Sequence, residues 1–550
     1  MTPAEIQLRH WDAIVIGTGI GGATLGQSLA QAGMSVLFCE KGASHLTAPD
    51  ALVGKWAETF FEGEHSNNSY TSYLKRAGRL SSPILEVTGG GSKSVLPILG
   101  EGTGGSSVLY GMVMERFFPV DFEPSVYANG ASGAQTPDKW PIASGELEPY
   151  YAKAEALYNV KATLDPLRPG KESRSILPPP PYSPANGELY EYLSSQGCHP
   201  YHLPMACEYR PSCRECIGFI CDKRCKGDSV NICLVPALKE NSAVLADNCE
   251  VLKLQTEAAR VTSFLCLWNG KLVTLRGTTI ILAAGALGTP AILLRSASKK
   301  WPRGLANGSD QVGRNLMRHF LDYYIVKMRM PPREKDLIKQ LAWNDLYVSD
   351  GIKLGTVQSN GNLPPVSVIA HTVKEDLTRS SRLLGLLASR MSSIIEWGVK
   401  ASLRDTMVFA GIMEDFPYAD NRVTLSADGQ IRIEYSIHKE DRDRLALFRR
   451  KVKSVFKGYR TRLNPAAEKN SILGHACGTC RFGDLPHNSV LDRNNKAHEL
   501  DNLYVVDSSF FPTSSGTNPS LTIAANALRV ADLIINASYI GGRAADKVNR

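Results

Sequence analysis

The 550-residue chain has no hydrophobic run approaching the roughly 18 consecutive apolar residues that a bilayer-spanning helix requires, so no membrane span is expected from the sequence. Met1-Thr2-Pro3-Ala4-Glu5 is not a basic stretch leading into an apolar one, and no export signal is expected there. The protein is accordingly read as soluble and cytoplasmic, with peripheral membrane association, or export alongside a partner, left open. Charge of one sign is not concentrated either: 62 Lys and Arg against 54 Asp and Glu give a net +8 spread along the chain. Without a basic block, nucleic acid is not expected as a partner. Cysteine is sparse, 12 residues in all, far below the density of a disulfide scaffold. There is no internal repeat, and Pro178 to Pro181 with Pro184 reads as a stiff surface connection.

What the chain does have is core material, 43% hydrophobic residues against 21% charged. Its length corresponds to two to four ordinary domains or two large interleaved ones. Residues 11–42 carry the first chemical signal. An apolar strand, Ala13 to Ile16, runs into Gly17-x-Gly19-x-x-Gly22 and then a helical pattern. Gly17 permits a tight turn, Gly19 lets backbone approach a pyrophosphate at the helix N-terminus, and Gly22 lets the helix lie on the sheet. A second strand, Ser35 to Cys39, ends in Glu40, eighteen residues past Gly22, where a carboxylate accepts from ribose hydroxyls and disfavours a 2′-phosphate. The pattern predicts a dinucleotide site and argues against NADP. A further run of small residues, Gly100 to Ser107, is suited to backbone passing close under a flat ring.

Near the C-terminus, Leu503 to Val506 reads as a short strand ending in Asp507, an acid placed where such a strand meets a bound nucleotide. A Ser-, Pro- and Gly-rich excursion follows, and then a helix entered at Asn518-Pro519, with Asn suited to the cap and Pro to the first turn. That helix, Ser520 to about Asn536, is Ala-rich and apolar and is expected to be buried. Residues 474–483 read GHACGTCRFG.

Taken together, the Gly17 turn, Gly102 to Gly111, Trp140-Pro141 through Glu155, Leu282 to Leu294, Val312 to Leu316 and this C-terminal block resemble the glucose-methanol-choline (GMC) family of FAD-dependent oxidoreductases. The resemblance covers most of the chain. It implies an α/β fold, α+β overall, in which a Rossmann-like FAD-binding domain is interleaved with a substrate-binding domain built on an antiparallel sheet. The boundaries expected are 1–115, 205–320 and 470–550 for the former and 116–204 and 321–469 for the latter. FAD would contact Gly17, Gly19, Gly22, Glu40, Gly104, Gly105, Ser106, Ser107, Asp507, Asn518 and Pro519. Oxidising an alcohol at a flavin requires a base for the hydroxyl proton while a hydride leaves the same carbon. His475, in His-x-x-Gly-Thr-Cys, matches the family's catalytic histidine, and Asn518 its His-or-Asn partner, which orients the substrate oxygen. His319, His371 and His438 lie in no motif and are read as surface or packing residues.

The chain departs from the family pattern at Tyr110, which stands where Gly-Gly-Ser-Ser-x-x-Asn-Gly has Asn. No His occurs in that segment, so FAD is expected to be non-covalent. Cys213, Cys216, Cys221 and Cys225 fall within thirteen residues and leave several readings open: thiolates on a metal or iron–sulfur cluster, disulfides, or packing. Structural thiols or a disulfide are preferred; the cluster, which some family dehydrogenases carry, is kept as the less favoured option. Asn421 to Leu425 and Ile431 to Tyr435 flank Asp428-Gly429 as a hairpin, expected in the sheet that roofs the flavin. Residues 382–403 read as an amphipathic helix, taken first as core-facing, then as a lid over an apolar substrate, then as a membrane-surface contact.

The motif set is most similar to the branch of bacterial sugar and aminoglycoside oxidases and dehydrogenases. The expected substrate is a sugar-like or other polar small-molecule alcohol. The electron acceptor would be oxygen, or a quinone or cytochrome, the latter with an electron-transfer partner subunit. The alternatives are a sterol or long-chain alcohol oxidase, and a non-redox FAD-containing lyase of the same fold.

Overall fold

The computed structural model describes residues 1–61, 67–88, 91–127, 132–168, 175–240, 243–469 and 473–548. A strand apolar on both faces needs neighbours on both edges and helices above and below. His10–Ile16, buried from Ala13 onward, has them: it pairs in parallel with Val36–Cys39 on one side and Lys271–Leu282 on the other. Ala243–Ala246 extends the sheet in parallel beyond Val36–Cys39, and Leu503–Val505 also pairs in parallel with Lys271–Leu282. Arg260–Trp268 and Cys249–Glu257 complete it as an antiparallel meander. The helix Ile20–Gln31 packs against this sheet and against the C-terminal helix Ser520–Val548, which in turn packs on Ser144–Leu157.

A second, six-stranded sheet runs Thr461–Asn464, Phe320–Lys327, Thr406–Met413, Gly355–Ser359, Leu341–Trp343, Tyr201–His202, all neighbours antiparallel. Its core is separate from that of the parallel sheet and includes Phe320, Tyr324, Trp343, Phe409 and Phe448. The strands at Leu503 and Phe320 bring the two sheets' ends toward one another: Met317 and Cys477 exchange backbone hydrogen bonds, and Cys480 N–H donates to Ser509.

The hairpin forms as expected, Arg422–Leu425 on Ile431–Glu434 with Gly429 at φ +83°. It joins a different sheet from the one anticipated, pairing in parallel with Ile84–Thr88 in a four-stranded unit. Pro184 opens the helix Pro184–Ser195 rather than extending the proline connection, which suits a ring with fixed φ and no N–H. Among the described helices, Ser520–Tyr539 is long and apolar enough to cross a membrane, but 56% of that stretch is buried in the protein core.

The amphipathic segment departs from its first-ranked reading. Residues 366–403 form three helices, Val366–Ser380, Arg382–Arg390 and Ser392–Leu403, inserted between two adjacent strands of the six-stranded sheet. The last has no buried residue. A helical period of apolar residues specifies a face but not what lies against it, and here the face is turned to solvent.

Candidate active site

The glycine turn is built by close approach. Gly17, at φ +103°, lies so near Ala283 that a Cβ would collide with its carbonyl, and a Cβ on Gly22 would collide with the Gly17 carbonyl. Gly19 is different: it precedes the first turn of Ile20–Gln31, and a Cβ there would meet nothing within 4 Å. The helix N-terminus with its unpaired N–H groups therefore opens onto free space, the arrangement that receives an anionic phosphate.

The second glycine run folds back onto this turn, with Gly105 against Gly19. Gly104 N–H donates to Thr18 Oγ1 at 2.8 Å, and Thr18 donates from both N (3.1 Å) and Oγ1 (2.6 Å) to Glu40 Oε2. Burial outweighs these hydrogen bonds and raises the Glu40 carboxyl to about 7. Ser107 Oγ donates to the Gly104 carbonyl and lies 2.8 Å from Ser229 Oγ, which donates to the Thr18 carbonyl. Ser106 is exposed and accepts from Gly100 N–H. Gly17, Gly19, Gly22, Glu40, Gly104, Gly105 and Ser107 thus converge, joined by Thr18 and Ser229.

Asp507 is buried at the end of Leu503–Val505, and burial raises its pKa. Its carboxylate accepts from Gly285 N–H at 2.9 Å, from Ser509 N–H at 2.9 Å, and from the hydroxyls of Thr289 and Ser509. It thereby ties the start of the helix Gly285–Arg295 to the 507–509 turn.

At the other end of the site, His475 Nδ1 lies 2.9 Å from His319 Nδ1, with the rings nearly perpendicular at 83°. His319 Nε2 is 2.8 Å from the Ser514 carbonyl oxygen, which only accepts, so Nε2 carries the His319 proton. The Nδ1 of a neutral His319 is then an acceptor, His475 Nδ1–H is the donor, and His475 Nε2 keeps its lone pair. His319 is clamped at φ +63° by Asp415, which accepts from Arg318 N–H (2.8 Å) and His319 N–H (3.0 Å). Burial, then the neighbouring His319 and Lys339, push His475 down to about 3, so it is neutral across the physiological range. His319 is thus no bystander. The signal within reach of sequence was its place three residues past the Val312 to Leu316 motif.

Asn518 is buried, and its Oδ1 and Thr517 Oγ1 have no hydrogen-bond partner among the described residues. An amide oxygen spent on capping Ser520–Val548 would have one. A buried acceptor left open costs about 1–3 kcal/mol unless a ligand fills it. The turn before it is held rigidly from below: Lys353 Nζ lies 2.5 Å from Asp121 and 3.0 Å from Glu414, all wholly buried, while Glu414 accepts from Ser515 N–H and Asp121 from the Tyr347 and Ser515 hydroxyls.

Lys339 was not anticipated. It is buried against Gly111 and Gly361, and a Cβ on Gly111 would collide with its Nζ. Glu215 accepts from the Ile338 and Lys339 backbone N–H groups and so fixes the chain at this point. Among the described residues Lys339 Nζ makes no ion pair or hydrogen bond. Burial lowers its pKa to about 8, leaving it mostly charged at neutral pH. Tyr110, in place of the family's Asn, donates its hydroxyl to the Gly227 carbonyl at 2.5 Å and ties the glycine-serine segment to the cysteine-rich one.

The four cysteines do not close on one point. Cys216, Cys221 and the Asp222 carboxylate form a tight group, whereas Cys213 lies 3.7 Å from Cys207. All twelve cysteines of the chain are free thiols.

Family models described as GMC oxidoreductase match residues 11–321 and 417–527. The chain is 29% identical to a 6'''-hydroxyparomomycin C oxidase of Streptomyces lividus, over 96% of this chain and 91% of that protein. It is 28% identical to a paromamine 6'-oxidase of Streptomyces fradiae, with the same two coverages. Pyridoxine 4-oxidase from Mesorbium loti, a solved structure, has the same fold, with a TM-score of 0.63 at 18% identity over 95% of this chain and 99% of that one.

Proposed function

The chain belongs to the GMC oxidoreductase family, and we propose that it uses non-covalent FAD to oxidise the CH–OH group of a small, polar, sugar-like alcohol to a carbonyl. The relatives named as aminoglycoside oxidases support the substrate class. The observation that carries the reading is the His319–His475 pair: an imidazole held neutral, with one nitrogen committed to a buried partner and the other free to take a proton.

The residues present fit FAD. The open helix end at Gly19 suits the pyrophosphate, Glu40 the adenosine ribose, and the segment Gly104 to Ser107 passes where the flat ring system would lie. Asp507 orders the backbone on which the ring would rest, and Asn518-Pro519 begins the helix whose positive end would face its pyrimidine edge. When bound, FAD supplies the two-electron acceptor that takes the hydride from the carbinol carbon.

The protein's own part is proton handling and orientation. His475 Nε2 removes the hydroxyl proton, and His319, a positioning residue, keeps Nδ1 of His475 protonated and the ring fixed. Asn518 orients the substrate oxygen by donating an amide N–H to it. Lys339, beside Gly111 and near enough to His475 to lower its pKa, would hold a positive charge at the site. The two sheets are taken as the frames of the two interleaved domains, with 470–472 and 549–550 outside the described residues. A cytoplasmic location is part of the reading. The acceptor that regenerates oxidised cofactor is oxygen, or a quinone or cytochrome reached through a partner subunit.

The test is an anaerobic visible spectrum of the purified protein before and after polyols, aminoglycosides, sterols and long-chain alcohols. Bleaching of the oxidised flavin by the polar class is expected. Flavin that no alcohol bleaches would turn the reading toward the lyase, and bleaching by sterols alone would overturn the substrate class. His475→Ala should retain flavin and lose about 10²- to 10⁴-fold in the bleaching rate.

A further inference from the structure

We propose that the helical insert at 366–403 docks the protein on an anionic lipid surface. Leu383, Leu386, Leu387, Met391, Ile394 and Trp397 recur at the spacing that puts them on one side of a nearly continuous helix, broken only at Met391. That side faces solvent: Leu383 is 67% exposed, Leu386 64%, Ile394 58% and Trp397 71%. Scattered exposed leucines are ordinary on a soluble protein, but an aligned stripe of six is not. The two helices that carry it pack chiefly on Val366–Ser380 and on each other, so they stand off the body as an accessible unit.

Charge selects the occupant. The two helices that carry the stripe, residues 382–403, contain three basic residues, Arg382, Arg390 and Lys400, and one acidic, Glu396. Arg390 lies within the apolar stripe, and Arg390 and Lys400 are both exposed. A protein partner's apolar groove would be met equally well without these charges. A bilayer surface uses both features at once: leucines and isoleucine enter the acyl boundary, Trp397 sits at headgroup level, and long basic side chains reach phosphate and carboxylate headgroups. The insert leaves the six-stranded sheet at Ser359 and returns at Thr406, the end of those strands remote from Glu414 and Asp415 beside His319. Docking there leaves the catalytic pair away from the lipid.

The experiment is co-sedimentation of the full-length holoenzyme with vesicles of mixed phosphatidylcholine and phosphatidylserine, and with phosphatidylcholine alone, at low and high salt. Binding to the mixed vesicles is expected, weaker at high salt, with a blue shift of tryptophan emission that Trp397→Phe removes. Leu386→Gln with Leu387→Gln, and separately Arg390→Glu with Lys400→Glu, should each lower vesicle affinity by at least roughly tenfold while alcohol-dependent flavin bleaching without vesicles is unchanged. No sedimentation with mixed vesicles would overturn the proposal. So would a dimer in solution, dissolved by the same leucine substitutions without vesicle binding, which would make a second copy the occupant. Equal binding by wild type and both variants would also overturn it.

Discussion

Two wholly buried lysines set the two halves of the site apart. Lys353 lies under the Ser514–Gly516 turn between Asp121 and Glu414, and although burial alone would lower its pKa, these two carboxylates raise it. Lys339 lies against Gly111, and although Glu215, bound to its backbone N–H, pulls the pKa up, burial wins and brings it to about 8. The first is a scaffold that fixes the turn carrying the Ser514 carbonyl and Asn518. The second is a charge held in an unfavourable place, the pattern expected where charge is needed for chemistry rather than for folding.

Breaking the first should cost most. Lys353→Met leaves two buried carboxylates facing one another, and a loss of about 3–5 kcal/mol in urea unfolding is expected. A variant as stable as wild type would remove the scaffold role.

The next effect is on rate. His319→Leu removes both the donor to Ser514 and the acceptor for His475, and flavin bleaching should slow by about 10²-fold. His319→Gln offers an amide N–H to Ser514 and an amide oxygen to His475, and should recover much of that loss. Equal defects in both variants would mean that His319 serves packing and does not set the tautomer of its partner.

The smallest effect has the opposite sign to the first. Lys339→Met, filling the same space without a charge, should leave stability at neutral pH unchanged or raise it by about 1–3 kcal/mol. In the wild type the folded state sheds this proton near 8 and the unfolded chain near 10.5, so the unfolded state holds more protons between those values and stability rises with pH across that window. The variant should lose its own share of that rise in urea midpoints, the remainder coming from Lys226, which burial also brings to about 8. Lys353, raised above 10.5, contributes fully below that value and adds no such slope.

The legible parts of the site were those written in short spacing. Gly17, Gly19, Gly22 and Glu40 announce themselves because a strand, a turn and a helix start demand particular residues at fixed offsets, whereas His475 and Asn518 stand out only through the resemblance to the family. His319, Glu215 and Lys339 do not, since each acquires its role from a partner far along the chain: Ser514 for His319, Ile338 and Lys339 for Glu215, Gly111 for Lys339. A lysine is ordinarily exposed, and nothing beside Lys339 in the sequence says that this one is not. The same limit applies to 382–403, where periodicity yields the helix but not the direction its apolar face takes. For the hairpin at Asp428-Gly429, turn chemistry is local and the choice of sheet is not.

The most direct test of the account is the pH dependence of anaerobic flavin reduction by a polar alcohol that bleaches the enzyme. With His475 brought down to about 3 and Lys339 to about 8, the rate should be level through the ordinary histidine range around 6.5 and fall only on the alkaline side, near 8. An acid limb centred near 6.5, with no alkaline fall, would contradict both the neutral, pre-oriented base and the charged lysine beside it.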